Sequence, residues 1–269
     1  MAATFPIKDR YTMQDVLDLM KILRSPEGCP WDREQTHESI RSNFLEETHE
    51  AIEAINNGDV AGLREELGDV LMQIIFHAQM EEEAGHFTFD DVLTELCKKL
   101  IVRHPHVFGD VQANDAAAVL KTWDSVKRAT KGENTTQTDL LRNVPRSLPA
   151  LMRAEKVQGR AKRVGFDWPD ISGAWDALTG ETDELEAAIA SGRPEDIEEE
   201  LGDLLFSVVN VSRFVNVDAE QAITRATDKF IARFERVEQL AKERGVDMAS
   251  STIDELDVLW REAKRQLNP

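Results

Sequence analysis

Apolar residues recur along this chain with the period of a helix. Val16, Leu17, Met20 and Leu23 fall on one helical face, and the same spacing returns in Leu67, Val70, Leu71, Ile74 and Ile75 and in Leu201, Leu204, Leu205, Val208 and Val209. Alternation of the kind that builds a half-buried strand is hard to find. Glycine and proline fall between the periodic segments, as in Ser25-Pro26-Glu27-Gly28 and Ser191-Gly192-Arg193-Pro194. The pattern predicts an all-α protein.

The helical pattern is also duplicated. The stretch from Phe44 to Phe76 is matched without a gap by the stretch from Leu178 to Asn210, each residue meeting its counterpart 134 positions on, as Glu47 does at Glu181. Leu67-Gly68-Asp69 returns as Leu201-Gly202-Asp203. Asn57-Gly58-Asp59 and Gly192-Arg193-Pro194 occupy the same turn. With four residues deleted, Lys99–Arg103 then matches Lys229–Arg233. The reading is two tandem helical-bundle modules, 1–130 and 145–269. The polar stretch 131–144 is expected to be a linker, punctuated at its exit by Pro145 and Pro149.

Charge narrows the function. The chain of 269 residues carries 51 acidic and 32 basic side chains, a net charge of −19. Gripping a nucleic-acid polymer relies on Lys and Arg displacing counterions, so that class is excluded, and an anionic membrane surface is excluded with it. A small phosphorylated substrate stays open if divalent cations lie between the two sets of negative charge. Cys29 and Cys97 form no CxxC and have no His/Cys cluster beside them, which excludes a disulfide framework or structural zinc. Met1–Arg10 lacks the apolar core of a signal peptide, and no apolar run is long enough to span a bilayer. The expected compartment is a reducing cytoplasm.

The candidate chemistry lies in carboxylates. Glu47 and Glu50 are three apart and share a helical face, as do Glu66 and Asp69 on the following helix. The turn between makes the two helices antiparallel neighbours, so four carboxylates converge. Such a cluster inside an apolar run is costly without cations, and hard oxygen ligands in this number suit Mg²⁺ or Mn²⁺. A solvated face is the usual meaning of charged helix positions. Here the set recurs at identical spacing as Glu181, Glu184, Glu200 and Asp203. A di-iron carboxylate bundle needs a Glu-x-x-His on each of two helices; Glu46 and His49 supply one and the second module supplies none. His49 is therefore read as a surface residue. No Gly-rich phosphate cradle and no nucleophile motif is present, so phosphate handling falls to metal.

The motifs together resemble the MazG nucleoside triphosphate pyrophosphohydrolases, an all-α family. The resemblance runs over nearly the whole chain. It rests on Gly28-Cys29-Pro30-Trp31-Asp32, Leu45–Glu50, Glu66–Asp69, Arg103–Phe108, Pro145–Pro149, Val164–Trp168 and Glu200–Leu205. It implies hydrolysis of the α–β phosphate bond of nucleoside triphosphates to a monophosphate and pyrophosphate, Mg²⁺ as cofactor, and assembly as a homodimer. It carries the metal-ligand roles onto Glu47, Glu50, Glu66 and Asp69 and onto Glu181, Glu184, Glu200 and Asp203.

The modules differ. Gly180 stands where the first has Glu46, a loss of either an outer contact or a water-activating base. Asn210 stands where the first has Phe76, on one helical face with Glu200, Asp203 and Ser207, and is a candidate ligand for phosphate or metal-bound water. On this ground, and by resemblance, the second module is favoured as catalytic, with Glu181 or Glu184 accepting the proton of the attacking water. The first is a second active site, a regulatory site or a dimerisation scaffold. Lys229 and Arg233 lie one turn apart, either to neutralise phosphate or as a solvated face. Trp260 is the candidate base contact; Trp31, Trp168 and Trp175 are read as core. His104 and His106 are read as structural, at a helix end. The competing reading is a helical module that senses nucleotide and metal with little turnover.

Overall fold

In a computed structural model the described residues are 5–109, 111, 115, 119 and 136–267, and all their regular structure is helical. The chain divides into two compact units, Met1–Gly132 and Glu133–Pro269. Unit 1 holds α1 (Met13–Arg24), α2 (Pro30–Glu34), α3 (Arg41–Asn57), α4 (Val60–Glu83), α5 (Phe89–Arg103) and α6 (Pro105–Phe108). Unit 2 holds α7 (Gln137–Arg142), α8 (Ala150–Lys162), α9 (Ile171–Ser191), α10 (Pro194–Phe214), α11 (Ala219–Arg244) and α12 (Ile253–Leu267).

Local chemistry sets the helix ends. Thr12 and Asp15 form a capping box at α1, Thr88 and Asp91 one at α5, and Thr252 and Glu255 one at α12. The central hairpin of each unit is closed by a left-handed glycine, Gly58 at φ 65° after α3 and Gly192 at φ 69° after α9. A residue with a Cβ is strained at that φ. The helices that follow start differently: the Asp59 side chain accepts from the N–H groups of Ala61 and Gly62, while α10 begins with Pro194 and has no side-chain cap.

Unit 1 packs Met20 of α1 and Ile40 against Ile75, Phe76, Ala78 and Met80 of α4, with Phe89 of α5 completing the cluster. In unit 2 the α11–α12 pair buries Val237, Leu240, Ala241, Leu259 and Ala263, with Trp260 on its edge. Each fully buried Leu or Ile side chain contributes about 1.5–3 kcal/mol of transfer free energy. The hairpins α3–α4 and α9–α10 have the most extensive helix–helix contact in their units, so the carboxylate helices are the best-braced ones.

Residues 131–135 of the expected linker lie outside the described residues. The rest of it is folded. Thr136 and Asp139 form a capping box, α7 packs on α8, Val144 is 1% exposed, and the Arg160 guanidinium donates to the Leu140 carbonyl. The polar run conceals a Thr-x-x-Asp helix start. No helix among the described residues is long and apolar enough to cross a membrane.

Candidate functional site

In unit 2, α9 and α10 run antiparallel from the Gly192 turn and bring carboxylates together across the hairpin. Glu181, Glu184 and Glu200 each offer an oxygen, all within 4.8 Å of one another. Asp203, one turn along α10 from Glu200, stays outside that trio. It is close enough for its charge to help raise Glu181 and Glu200. Both carboxyls are pushed above the ordinary Glu range, first by partial burial and then by like charge, from Asp203 and Glu184 at Glu181 and chiefly from Glu184 at Glu200.

Unit 1 repeats this with a different third member. Glu47, Glu66 and Asp69 come within 4.8 Å, and Glu50 is the exposed neighbour. Glu47 is raised by burial and then by Asp69, Glu66 by burial and then by Glu50. Several acidic residues elsewhere are paired, as Glu82 is with Lys21, Glu83 with Arg24 and Asp167 with Arg213. Among the described residues no lysine or arginine pairs with any of the eight carboxylates. Convergent, partly desolvated oxygens with no cation of the chain's own fit a hard divalent ion, which would reverse the repulsion.

The remaining candidates take several positions. Asn210 is buried, and its Oδ1 accepts from Arg213 Nη2 at 2.6 Å. Arg213 in turn holds Asp167 in a two-pronged pair at 2.9 and 2.5 Å, keeping that carboxyl below the usual Asp range. Asn210 thus sits in an internal network that ties the 163–170 loop to α10. Lys229 is exposed on α11, which packs against α10. The Arg233 guanidinium lies 6.0 Å from the centre of the Trp260 ring, which also meets Phe230 at 5.0 Å. Trp260 therefore joins the α11–α12 cluster and borders Arg233 as well.

Trp31 and Trp175 are 59% and 56% exposed, so neither is core. Trp168 packs over Gly173, where an added Cβ would stand 2.2 Å from its ring. His49 is exposed on α3. His104 ends α5 by donating from Nδ1 to the Leu100 carbonyl at 2.6 Å. Open space surrounds Gly180, so the missing carboxylate there reflects no steric demand. The Asp167–Arg213 pair escaped the reading of the sequence, although the Asp of Val164–Trp168 was its one visible trace.

Comparison with known proteins agrees with this geometry. A family model described as the MazG nucleotide pyrophosphohydrolase domain matches twice, over residues 35–108 and 173–238, each match spanning one carboxylate hairpin. The chain is 44% identical over 251 residues to the nucleoside triphosphate pyrophosphohydrolase/pyrophosphatase MazG of Thermotoga maritima, covering 93% of this chain and 95% of that protein. It is 43% identical over 254 residues to the nucleoside triphosphate pyrophosphohydrolase of Escherichia coli K12, covering 93% and 96%. It is also 44% identical over 247 residues to the uncharacterized protein YabN of Bacillus subtilis, of which it spans 50%. With two domain matches, near full-length likeness and a carboxylate hairpin in each unit, the chain belongs to the MazG nucleotide pyrophosphohydrolase family.

Proposed function

We propose that the chain is a divalent-metal-dependent nucleoside triphosphate pyrophosphohydrolase, releasing pyrophosphate and a nucleoside monophosphate, and that unit 2 is its working site. The observation that carries this is the convergence of Glu181, Glu184 and Glu200 within 4.8 Å, with no cationic side chain among the described residues paired to them. Glu181, Glu184, Glu200 and Asp203 would hold Mg²⁺, or Mn²⁺ in its place. Bound there, the ion supplies charge neutralisation for the triphosphate and a water of lowered pKa.

The chain's own residues divide the rest of the work. Glu181 or Glu184 on α9 accepts the proton of the attacking water; the Glu181 carboxyl, held above the ordinary Glu range by burial and by the Asp203 and Glu184 charges, is a stronger base than an ordinary carboxylate. Lys229 and Arg233 on α11 bind phosphate oxygens, and Trp260 beside Arg233 offers a ring edge to the base. Asn210 supports α10 through Arg213. Glu47, Glu50, Glu66 and Asp69 form a second metal pocket in unit 1.

Apolar side chains exposed on α5 (Leu93, Leu96, Leu100) and on α11 (Ile223, Phe230, Ile231) support assembly as a homodimer. Both cysteines are free, in keeping with a reducing cytoplasm. Neither a nucleic-acid polymer nor a membrane is proposed as partner.

The test is pyrophosphate release from a panel of nucleoside triphosphates, with and without Mg²⁺. It compares the natural chain with Glu66→Ala/Asp69→Ala and with Glu200→Ala/Asp203→Ala. Loss confined to the second pair is expected. Loss confined to the first moves the site to unit 1. Gly180 favours one second reading, a nucleotide sensor, and metal-dependent binding without any pyrophosphate would establish it.

A further inference from the structure

Away from the carboxylate pocket, unit 1 holds a chain of four titratable side chains. His37 lies in the turn before α3, His77 and Glu81 sit one turn apart on α4, and His86 lies in the turn after it. His37 Nδ1 meets His77 Nδ1 at 2.7 Å, His37 Nε2 meets Glu81 Oε1 at 2.7 Å, and His86 Nδ1 meets Glu81 Oε2 at 2.7 Å. The two imidazole planes differ by 6° and the ring centres are 5.0 Å apart. With the nitrogens only 2.7 Å apart, centres so distant require both nitrogens to lie on the line joining the rings. The pair is therefore coplanar, edge to edge, and joined by one linear N–H···N bond.

That bond fixes the proton count. One Nδ1 must carry hydrogen and the other must not. In the neutral pair His77 Nδ1–H donates to His37, and His37 Nε2–H donates to Glu81. A first added proton enters at His77 Nε2 while the shared proton passes to His37 Nδ1. The charge then rests on His37 against the Glu81 carboxylate, and every hydrogen bond survives. A second added proton leaves hydrogen on both Nδ1 atoms, with no acceptor and two cations edge to edge, so the bond breaks. Burial, and next the charge of His37, hold His77 below the ordinary His range.

The surroundings leave this chain to itself. Lys21 and Arg24 of α1 are engaged by Glu82 and Glu83, and Asp91 of α5 by Thr88. Glu38 and Arg41 flank His37 on the turn and α3 side, and Phe44 of α3 contributes only a ring, 5.8 Å from His77. The repeat supplies a control. Carried beyond the matched stretch 44–76, the 134-residue offset reaches Ile171, Val211 and Val215 from His37, His77 and Glu81; Ile171 opens α9 whereas His37 lies in a turn, and none of the three unit 2 residues is polar.

We propose that His37, His77 and Glu81 form a proton-operated latch. It fastens the turn 36–40, and with it the start of α3, to α4 while the imidazole pair holds at most one added proton, and it releases that turn when both rings are charged. Because α3 carries Glu47 and Glu50, release loosens one wall of the unit 1 carboxylate pocket.

The test uses the full chain. Histidine ¹⁵N spectra are followed from about pH 7.5 to about pH 5, across the range in which imidazoles titrate. In parallel, hydrogen exchange is followed at Ile40 and Phe44, whose N–H groups bond to the Thr36 and Ile40 carbonyls. The expected result is uptake of one proton by the pair with protection kept. Uptake of the second then brings at least an about tenfold loss of protection, after correction for intrinsic rates. The variant H37I/H77V/E81V, carrying the unit 2 residues, is expected to hold its protection throughout. Two independent imidazole titrations with protection unchanged, or the same loss in the variant, overturn the latch. If the variant does not fold, the natural chain's spectra and exchange decide alone.

Discussion

Replacing Asp167 with alanine tests whether unit 2 depends on the Asp167–Arg213 pair. The two side chains are only 12% and 11% exposed, so the pair belongs with buried ion pairs rather than with surface ones worth a fraction of a kcal/mol. Removing the carboxylate leaves a guanidinium in the interior, whose Nε already has no partner and whose remaining contacts are Asn210 and the Phe214 ring at 4.8 Å. Breaking one side of a buried pair costs about 3–5 kcal/mol, well above an average substitution. The assay is urea unfolding of the full chain, with unit 2 read separately through exchange of α8 and α10 amides. The pH dependence supplies a sign. Asp167 is lowered in the folded state, so its contribution is fully present above the unfolded Asp value of about 3.9 and is lost as pH falls through the folded value. The alanine variant should lack that acid limb. A cost below about 1 kcal/mol, in the range of exposed pairs, would refute the reasoning.

Three further outcomes rest on the carboxylate hairpin and on the packing around Gly28. Mg²⁺ at a hundredfold excess over its dissociation constant should stabilise unit 2 by about 2.7 kcal/mol, and a chelator should reverse it. Glu200→Gln should raise the melting temperature of metal-free protein, because it removes the like charge that Glu200 shares chiefly with Glu184, while abolishing the Mg²⁺ response; a variant that still responds refutes the ligand assignment. Gly28→Ala should destabilise unit 1 at the upper end of the usual range of about 0.5–3 kcal/mol, since its Cβ would stand 2.1 Å from the Ile22 carbonyl oxygen; calorimetry showing an unchanged transition would contradict that packing.

Periodicity and duplication made the helices and the two units readable, because an apolar face at helical spacing has few other uses. The eight carboxylates were readable for a similar reason, since their spacing puts each set of four on one hairpin whatever surrounds it. Which three converge was hidden. Asp69 joins the trio in unit 1 and Asp203 stays outside it in unit 2, although the sequence spacing is identical in both. Asn210 shared a face with Glu200 and Asp203 on a helical wheel, yet that face turns inward by the next turns of α10, where Arg213 takes its oxygen. The latch histidines lie 40 residues apart, and nothing local marks either as a partner. Trp31 and Trp175 were read as core from residue type alone, which says little where a helix is amphipathic.

The proposed metal ligands of each unit all belong to a single helical hairpin closed by a left-handed glycine, Gly58 in one and Gly192 in the other. Nothing distant in the chain is needed to bring them together. Closing so short a loop costs little chain entropy, and contacts between near neighbours form early in folding. A growing chain can therefore assemble the carboxylates of unit 1 while unit 2 is still being synthesised. Metal captured at that stage would stabilise the first hairpin as a nucleus, on which the remaining helices of its unit condense.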